Sequence, residues 1–340
     1  MHLPLSPLML GDNIRHWAGR PVETVRYMSD NGSEFEGGET ENAGIACYVC
    51  EYLCGKHRFL TFNERRRWVG VLVNQITSQA VSYDGIWLWR WERNPLRHDY
   101  LYPPDWDDTC KAIDALTACK RIYNIDCDNM LPTARALGDL LSNSIERSPV
   151  AGEEVRIPVT NTLILPIFMA SRAVKANNTD DPHVTAVSLL CILSHYPELL
   201  VTHGHIVEEL YDRLVEIASI GLRSRLRLSS LSRCYLSWSH YLWLIMCVSV
   251  ILRRHTSEVI GLSRDYLLAE GWNGSETVAC EVEEYYGKML SRACHIDCRG
   301  LRRRYETSRG IMYQHRRLGH YYGSPALASL LHAMIAQTSE

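Results

Sequence analysis

Apolar residues recur at three-to-four spacing through most of this chain, and that spacing predicts helices. The stretches are 43–53, 63–79, 108–122, 133–144, 159–174, 182–195, 205–220, 233–252, 257–269, 277–293 and 324–336. Asn63-Glu64 and Asp181-Pro182 read as helix starts, the second with proline at the first helical position. No segment sustains the alternation of a half-buried strand. The β-branched piece 155–159 is isolated and bracketed by prolines. The expectation is an all-α chain of about ten to twelve helices in antiparallel pairs.

The connections are short. The most polar stretch, 29–41, is rich in Gly, Glu and Asn and reads as a surface loop. It divides the chain into an N-terminal segment, 1–41, and one helical domain, 42–340. Between helices, Asp84-Gly85-Ile86-Trp87-Leu88-Trp89 is a turn followed by aromatics, which staples one helix end to the next by stacking. The pieces 271–275 and 319–324 are weaker echoes of it.

At 340 residues, with 46% hydrophobic and 22% charged, the composition is globular and sufficient for one large core. A net charge of −3 gives no reason to expect a nucleic-acid partner. Arginines do cluster at 65–67, 302–304 and 316–317. Solvated helix ends explain them, as would an anion site for a phosphorylated substrate. The longest apolar run, 241–252, is too short to span a bilayer and reads as a buried helix; peripheral membrane contact is compatible with it.

Twelve cysteines are present. Met1 to Leu10 lacks the basic start and long apolar core of a secretory leader, so a cytoplasmic location with reduced thiols is expected. Cys47, Cys50 and Cys54 share one helix face, and Cys47-x-x-Cys50 has the spacing of half a zinc site. No second pair completes it, so these read as small buried hydrophobes. The same reading fits Cys294, His295 and Cys298.

The stretch with most chemistry is Tyr102-Pro103-Pro104-Asp105-Trp106-Asp107-Asp108-Thr109. Three carboxyls within four positions raise one another's pKa. Such a cluster serves a metal, a helix start, or the retention of a proton on a carboxylic acid. Trp87, Trp89, Trp91, Tyr100, Tyr102 and Trp106 crowd around it in sequence. Tyr235, Trp238, Tyr241, Trp243, Tyr313, Tyr321 and Tyr322 form a second aromatic bank. The chain has 18 Tyr and 9 Trp against 4 Phe, a bias that suits a polar-rimmed cavity better than a plain core.

Together these pieces resemble the terpenoid cyclase and prenyltransferase superfamily. Asp105-Trp106-Asp107-Asp108-Thr109 is similar to the Asp-x-Asp-Asp-Thr signature of class II cyclases such as squalene-hopene cyclase. Asp84-Gly85-Ile86-Trp87 is similar to that family's repeat turn. Segments 179–186 and 323–327 resemble helix starts in bacterial relatives. The resemblance spans roughly residues 40–335. Two departures stand out: the family usually has two or three helical domains where this chain has room for one, and the variable position holds the bulky Trp106.

The resemblance implies a single-domain (α/α)6-type barrel that cyclises a linear isoprenoid, a prenyl diphosphate or prenylated aromatic, by protonating a double bond. Asp107 would be the acid, with Asp105 and Asp108 raising its proton affinity. Asp108, near the helix N-cap, would be the ionised member. Trp87, Trp89, Trp106, Tyr102, Trp238, Tyr241, Tyr321 and Tyr322 would wall the carbocation. A histidine bound to the acid cluster would reprotonate it, with His183, His240 and His320 as candidates. No organic cofactor, resident metal or obligatory protein partner is expected. A retained diphosphate would call for Mg2+ and for cations, with Arg316 and Arg317 as candidates. The ionisation-initiated class needs an Asp-Asp-x-x-Asp helix, and 177–181 lacks that spacing.

Two alternatives stay open. Protein prenyltransferase β-subunits hold zinc through an Asp-x-Cys pair and a later histidine, and Asp108, Cys110 and His320 would supply them here. A toroid that binds without catalysing fits the missing second domain.

Overall fold

A computed structural model describes residues 14–28, 34–40, 43–55, 59–90, 104–146, 165, 169, 181–232, 234–269, 280–296, 311–315 and 320–337. The described chain is mostly helical. In order, the helices are α1 (Ala43–Cys54), α2 (Phe62–Ser78), α3 (Trp106–Tyr123), α4 (Ala134–Glu146) and α5 (Pro182–His195). They continue as α6 (Leu199–Arg223), α7 (Trp238–Leu252), α8 (Thr256–Leu268), α9 (Cys280–Ala293) and α10 (Pro325–Gln337).

Two kinds of helix alternate. Helices α1, α3, α5 and α7 are buried on nearly every side. Helices α2, α6 and α8 bury one face and expose the other, the signature of an outer layer. Contacts run from α1 to α3, α3 to α5, α5 to α7, α7 to α9, α9 to α10, and α10 to α1. The outer helices lie across neighbouring inner ones, α2 on α1 and α3, α6 on α5 and α7, α8 on α7 and α9. One returning helix between successive inner helices points those inner helices the same way, so their N-terminal ends gather together.

Six short strands accompany the helices. β1 (Thr24–Met28), β2 (Glu34–Thr40), β5 (Ile311–His315) and β6 (His320–Gly323) form an antiparallel sheet in the order β2-β1-β6-β5. Val25 lies opposite Gly323 and Met28 opposite His320. The stretch 29–41, expected to be a loop, therefore contains β2, and the 1–41 segment pairs with the chain just before α10 rather than standing apart. β2 does not alternate cleanly, because it carries Gly37 and Gly38 in its centre. β3 (Val81–Tyr83) and β4 (Ile86–Leu88) form a hairpin through Asp84-Gly85, both at positive φ (49° and 81°), as a type I′ turn requires.

Helix bounds follow their capping chemistry. α2 starts behind Thr61, not Asn63: Thr61 Oγ1 accepts from Glu64 N–H and the Glu64 carboxylate accepts from Thr61 N–H, a capping box. α7 begins only after Ser237, whose Oγ accepts from His240 N–H, so 234–237 is not helical. Of the expected helix 159–174, only Leu165 and Met169 are described, and neither is helical. Both are tied down by hydrogen bonds: Leu165 N–H donates to Thr185 Oγ1 and Met169 N–H donates to Pro104 O. No helix among the described residues is long and apolar enough to cross a membrane.

Candidate active site

The start of α3 is fixed by a joint. Trp89, just beyond the β3–β4 hairpin, donates its indole N–H to Ile76 O near the end of α2 (2.8 Å). Its backbone N–H donates to Thr109 Oγ1 (3.0 Å), Thr109 Oγ1 donates back to Trp89 O (3.2 Å), and Asp105 N–H also donates to Trp89 O (3.0 Å). The expected staple is thus present, made by hydrogen bonds rather than ring stacking. The start of α5 repeats it: Asp181 N–H donates to Leu165 O and Leu165 N–H to Thr185 Oγ1. Asp105, Thr109 and Trp89 correspond to Asp181, Thr185 and Leu165, each 76 positions on.

Asp105, not Asp108, caps α3: its Oδ1 accepts from Asp108 N–H at 2.9 Å. The three carboxyls fall in the cap and first turn, and all are buried, at 3%, 4% and 0% exposure for Asp105, Asp107 and Asp108. Asp107 Oδ2 accepts from the Tyr235 hydroxyl at 3.0 Å. The Tyr235 ring stacks on His183 (centroids 3.9 Å apart, planes 3° apart). His183 Nε2 meets His240 Nδ1 at 3.1 Å, and the His240 ring stacks on Tyr286 at 4.1 Å. Tyr48 lies edge-on to His240, and the Tyr52 hydroxyl pairs with that of Tyr286 (2.8 Å). Residues from α1, α3, α5, α7 and α9 thus form one continuous run of contacts that begins at Asp107.

Electrostatics separate the three carboxyls. Burial pushes every one upward, because an ionised carboxylate loses its hydration. Asp105 and Asp108 rise well above the usual range: the charges of Asp108 and Asp107 add to burial at Asp105, and the charge of Asp107 adds to burial at Asp108. Among the described residues neither Asp108 carboxyl oxygen finds a donor in hydrogen-bonding geometry, and Asp105 offsets only part of its rise. Asp107 rises from 3.8 only to about 6: burial raises it, the Tyr235 hydrogen bond lowers it, and the Asp181 charge raises it again. The expected split is therefore reversed. Asp105 and Asp108 are the members pushed well up toward the protonated form, and Asp107 is the one that ionises near neutrality.

The histidines are kept neutral by burial, which lowers both well below their usual value. His183 Nδ1 and His240 Nε2 are buried and lack a partner among the described residues. Two neutral imidazoles sharing one hydrogen bond leave one spare N–H and one spare lone pair, whichever tautomers they take. Neither ring touches the acid cluster directly; Tyr235 stands between. Beyond them, Lys111 is buried between Glu51 (3.3 Å) and Asp114 (3.3 Å), with Asp114 also bound by His195 (2.8 Å) and the Tyr48 ring 4.8 Å from the ammonium.

The other expected wall residues disperse. Tyr241 is buried beside His183 (centroids 5.7 Å) with its hydroxyl on Leu214 O. Trp89, Trp106 and Trp238 are core residues, each with its indole N–H spent on a fixed acceptor: Ile76 O, Ser144 Oγ and Leu226 O. Trp87 sits on the hairpin at 39% exposure and walls nothing. Tyr321 and Tyr322 belong to β6 in the sheet. Tyr102, Trp91, Tyr100, Cys298, Arg316 and Arg317 lie outside the described residues, and of Tyr313 and His320 only the backbone is described. Tyr48, Tyr52, Tyr285, Tyr286 and Lys111 were not expected. The one local signal for them is the four-residue spacing of Tyr48 and Tyr52 on an apolar helix.

The zinc alternative also calls on His320, whose side chain lies outside the described residues. Asp108 and Cys110 stand two apart on a helix, which turns them to different faces. Among the described residues, no group of three His, Cys, Asp or Glu side chains is placed to hold a metal ion. Comparison with protein-family models, with curated proteins and with solved structures finds no match to this chain.

Proposed function

We propose that this chain is a class II terpenoid cyclase that starts its reaction by protonating a carbon–carbon double bond from Asp107. The observation that carries the reading is the setting of that carboxyl. It is buried, it titrates near 6, and it is held by a phenol inside a shell of tyrosine and neutral imidazole rings. The contact sequence of the six inner helices, which runs from α1 round to α10 and back to α1, supports an (α/α)6-type barrel with the acid at one end of its axis.

In this reading the Asp107 O–H bond breaks, and its proton forms a new C–H bond with the π pair of the alkene. The cation left on the more substituted carbon is attacked by the next double bond, closing a ring. An apolar chain laid over the carboxyl displaces what solvent remains and raises its pKa further, so the acid form is populated on binding. The Tyr235 hydroxyl stabilises the carboxylate left behind. Aromatic faces of Tyr48, Tyr235, Tyr241 and Tyr286 meet the cation, each worth up to about 2 kcal/mol when desolvated. Loss of a proton ends the reaction and leaves an isomer of the substrate.

The test is incubation of the purified chain with prenyl diphosphates of increasing length and with prenylated aromatics, in the presence of Mg2+. A cyclic product of unchanged mass is expected by gas or liquid chromatography with mass spectrometry. Asp107→Asn is expected to lose it by about 10²- to 10⁴-fold while circular dichroism stays unchanged. An equal rate in Asp107→Asn, or no product from any of these substrates, overturns the reading.

A further inference from the structure

A second cluster lies at the opposite end of α3 from the acids. Cys50 and Cys54 stand four apart on α1 and so share one helix face. Cys119 of α3 faces both: its Sγ is 3.1 Å from Cys50 Sγ and 3.9 Å from Cys54 Sγ. Cys50 and Cys119 are fully buried, whereas Cys54, the last residue of α1, is half-buried. Around it, Arg65 donates to Leu53 O and Gly55 O, and Tyr123 donates to Leu53 O, pinning the end of α1 against its neighbours.

We propose that Cys54, Cys119 and Cys50 form a thiol relay in which a peroxide-class oxidant attacks Cys54 and the product is a disulfide joining α1 to α3. In the first step the Cys54 sulfur attacks one peroxide oxygen, the O–O bond breaks, and the second oxygen leaves as water. Cys54 becomes a sulfenic acid, oxidised by two electrons. In the second step the Cys119 thiol attacks that sulfur; an S–S bond forms, the S–O bond breaks, and a second water carries off the hydroxyl and the thiol proton. Cys50, on the far side of Cys119, can then exchange into the bridge without further oxidant. A thiol reductant reverses the sequence.

The electrostatics agree with this order of events. Hydrogen bonds from Cys119 and Cys50, with Arg121 and Arg65 nearby, pull Cys54 below its usual thiol value against burial. The other half-buried thiols among the described residues behave oppositely: burial pushes Cys234 well up and Cys247 to about 11. A half-exposed thiolate beside a second thiol is the arrangement that oxidises selectively.

The experiment needs no substrate and no activity. The folded chain is treated with hydrogen peroxide at about one equivalent, remaining thiols are blocked with N-ethylmaleimide, and a digest without reductant is mapped by mass spectrometry. The expected result is a cross-linked peptide pair joining Cys119 to Cys54 or Cys50, lighter by two hydrogens, with Cys234 and Cys247 alkylated. In Cys119→Ser, dimedone is expected to trap a sulfenic acid on Cys54, and in Cys54→Ser bridge formation is expected to slow at least tenfold. Oxidation of Cys234 or Cys247 ahead of Cys54, or a native chain without a Cys119 bridge, overturns the proposal.

Discussion

The hydroxyl of Tyr235 donates to a carboxylate oxygen of Asp107 at 3.0 Å, across 128 positions of sequence. The bond favours the ionised acid, so it holds Asp107 near 6 while burial drives its neighbours higher. Tyr235→Phe removes the donor and leaves the ring. The Asp107 pKa then rises, and the acid form survives to higher pH. A rate that depends on protonated Asp107 falls as pH passes through about 6 in the native chain. In the variant that falling limb is expected to move to higher pH, and the low-pH rate to drop about 10- to 100-fold for the loss of one hydrogen bond to a charged group. The profile of kcat/KM against pH measures both, and an unmoved limb counts against Asp107 as the acid.

Asp108 predicts a pH-dependent stability. Its folded pKa lies above the unfolded value near 3.8, so the folded chain binds that proton more tightly. The favourable contribution is complete below the unfolded pKa and is lost as pH rises toward the folded one. Asp108→Asn has no such proton to lose. At pH 8 the variant is expected to be more stable than the native chain. Near pH 4 the two should melt together. Thermal unfolding at the two values decides it.

The paired helix joints predict matched defects. Thr109→Val removes both hydrogen bonds to Trp89, and Thr185→Val removes the bond from Leu165 N–H and the bond to Asp181 O. Each orphans a buried backbone group, at about 1–3 kcal/mol. Urea unfolding of the two variants is expected to give similar losses, and a near-neutral result in either would show that its joint is not stabilising.

Gly221, in α6, marks a close approach. A Cβ there would sit 2.8 Å from the Trp238 ring and 2.9 Å from Leu231. Trp238 is held by its bond to Leu226 O and cannot swing aside. Gly221→Ala is expected to destabilise by about 1–3 kcal/mol, the overpacking penalty outweighing the gain in helix propensity. A raised melting temperature would contradict the packing.

Helices were legible where local signals set them. Asp181-Pro182 placed α5 to the residue, because a capping acid and an N1 proline act within one turn. The cap of α3 was misjudged by three positions, Asp108 for Asp105, since three candidate caps stand within four residues and only the backbone decides that Asp105 turns inward. The four-stranded sheet was invisible: β1 and β6 are about 300 residues apart, and nothing in either strand names its partner. The acid was legible as a motif, and His183, His240 and Tyr235 were noted singly. Their stacking was not, because ring-to-ring contact between α5 and α7 is a product of helix packing alone. Tyr286 was missed for the same reason, its hydroxyl partner Tyr52 lying 234 positions away.

The recurring joint at α3 and α5 makes Asp107 and His183 occupants of the same slot, the second residue after the capping acid on adjacent inner helices. In one unit that slot carries a carboxyl and in the next an imidazole, while the anchoring aspartate and threonine stay put. Scaffold and reagent are thereby separable: the chemistry at these helix starts can be rewritten one side chain at a time without disturbing how either helix begins.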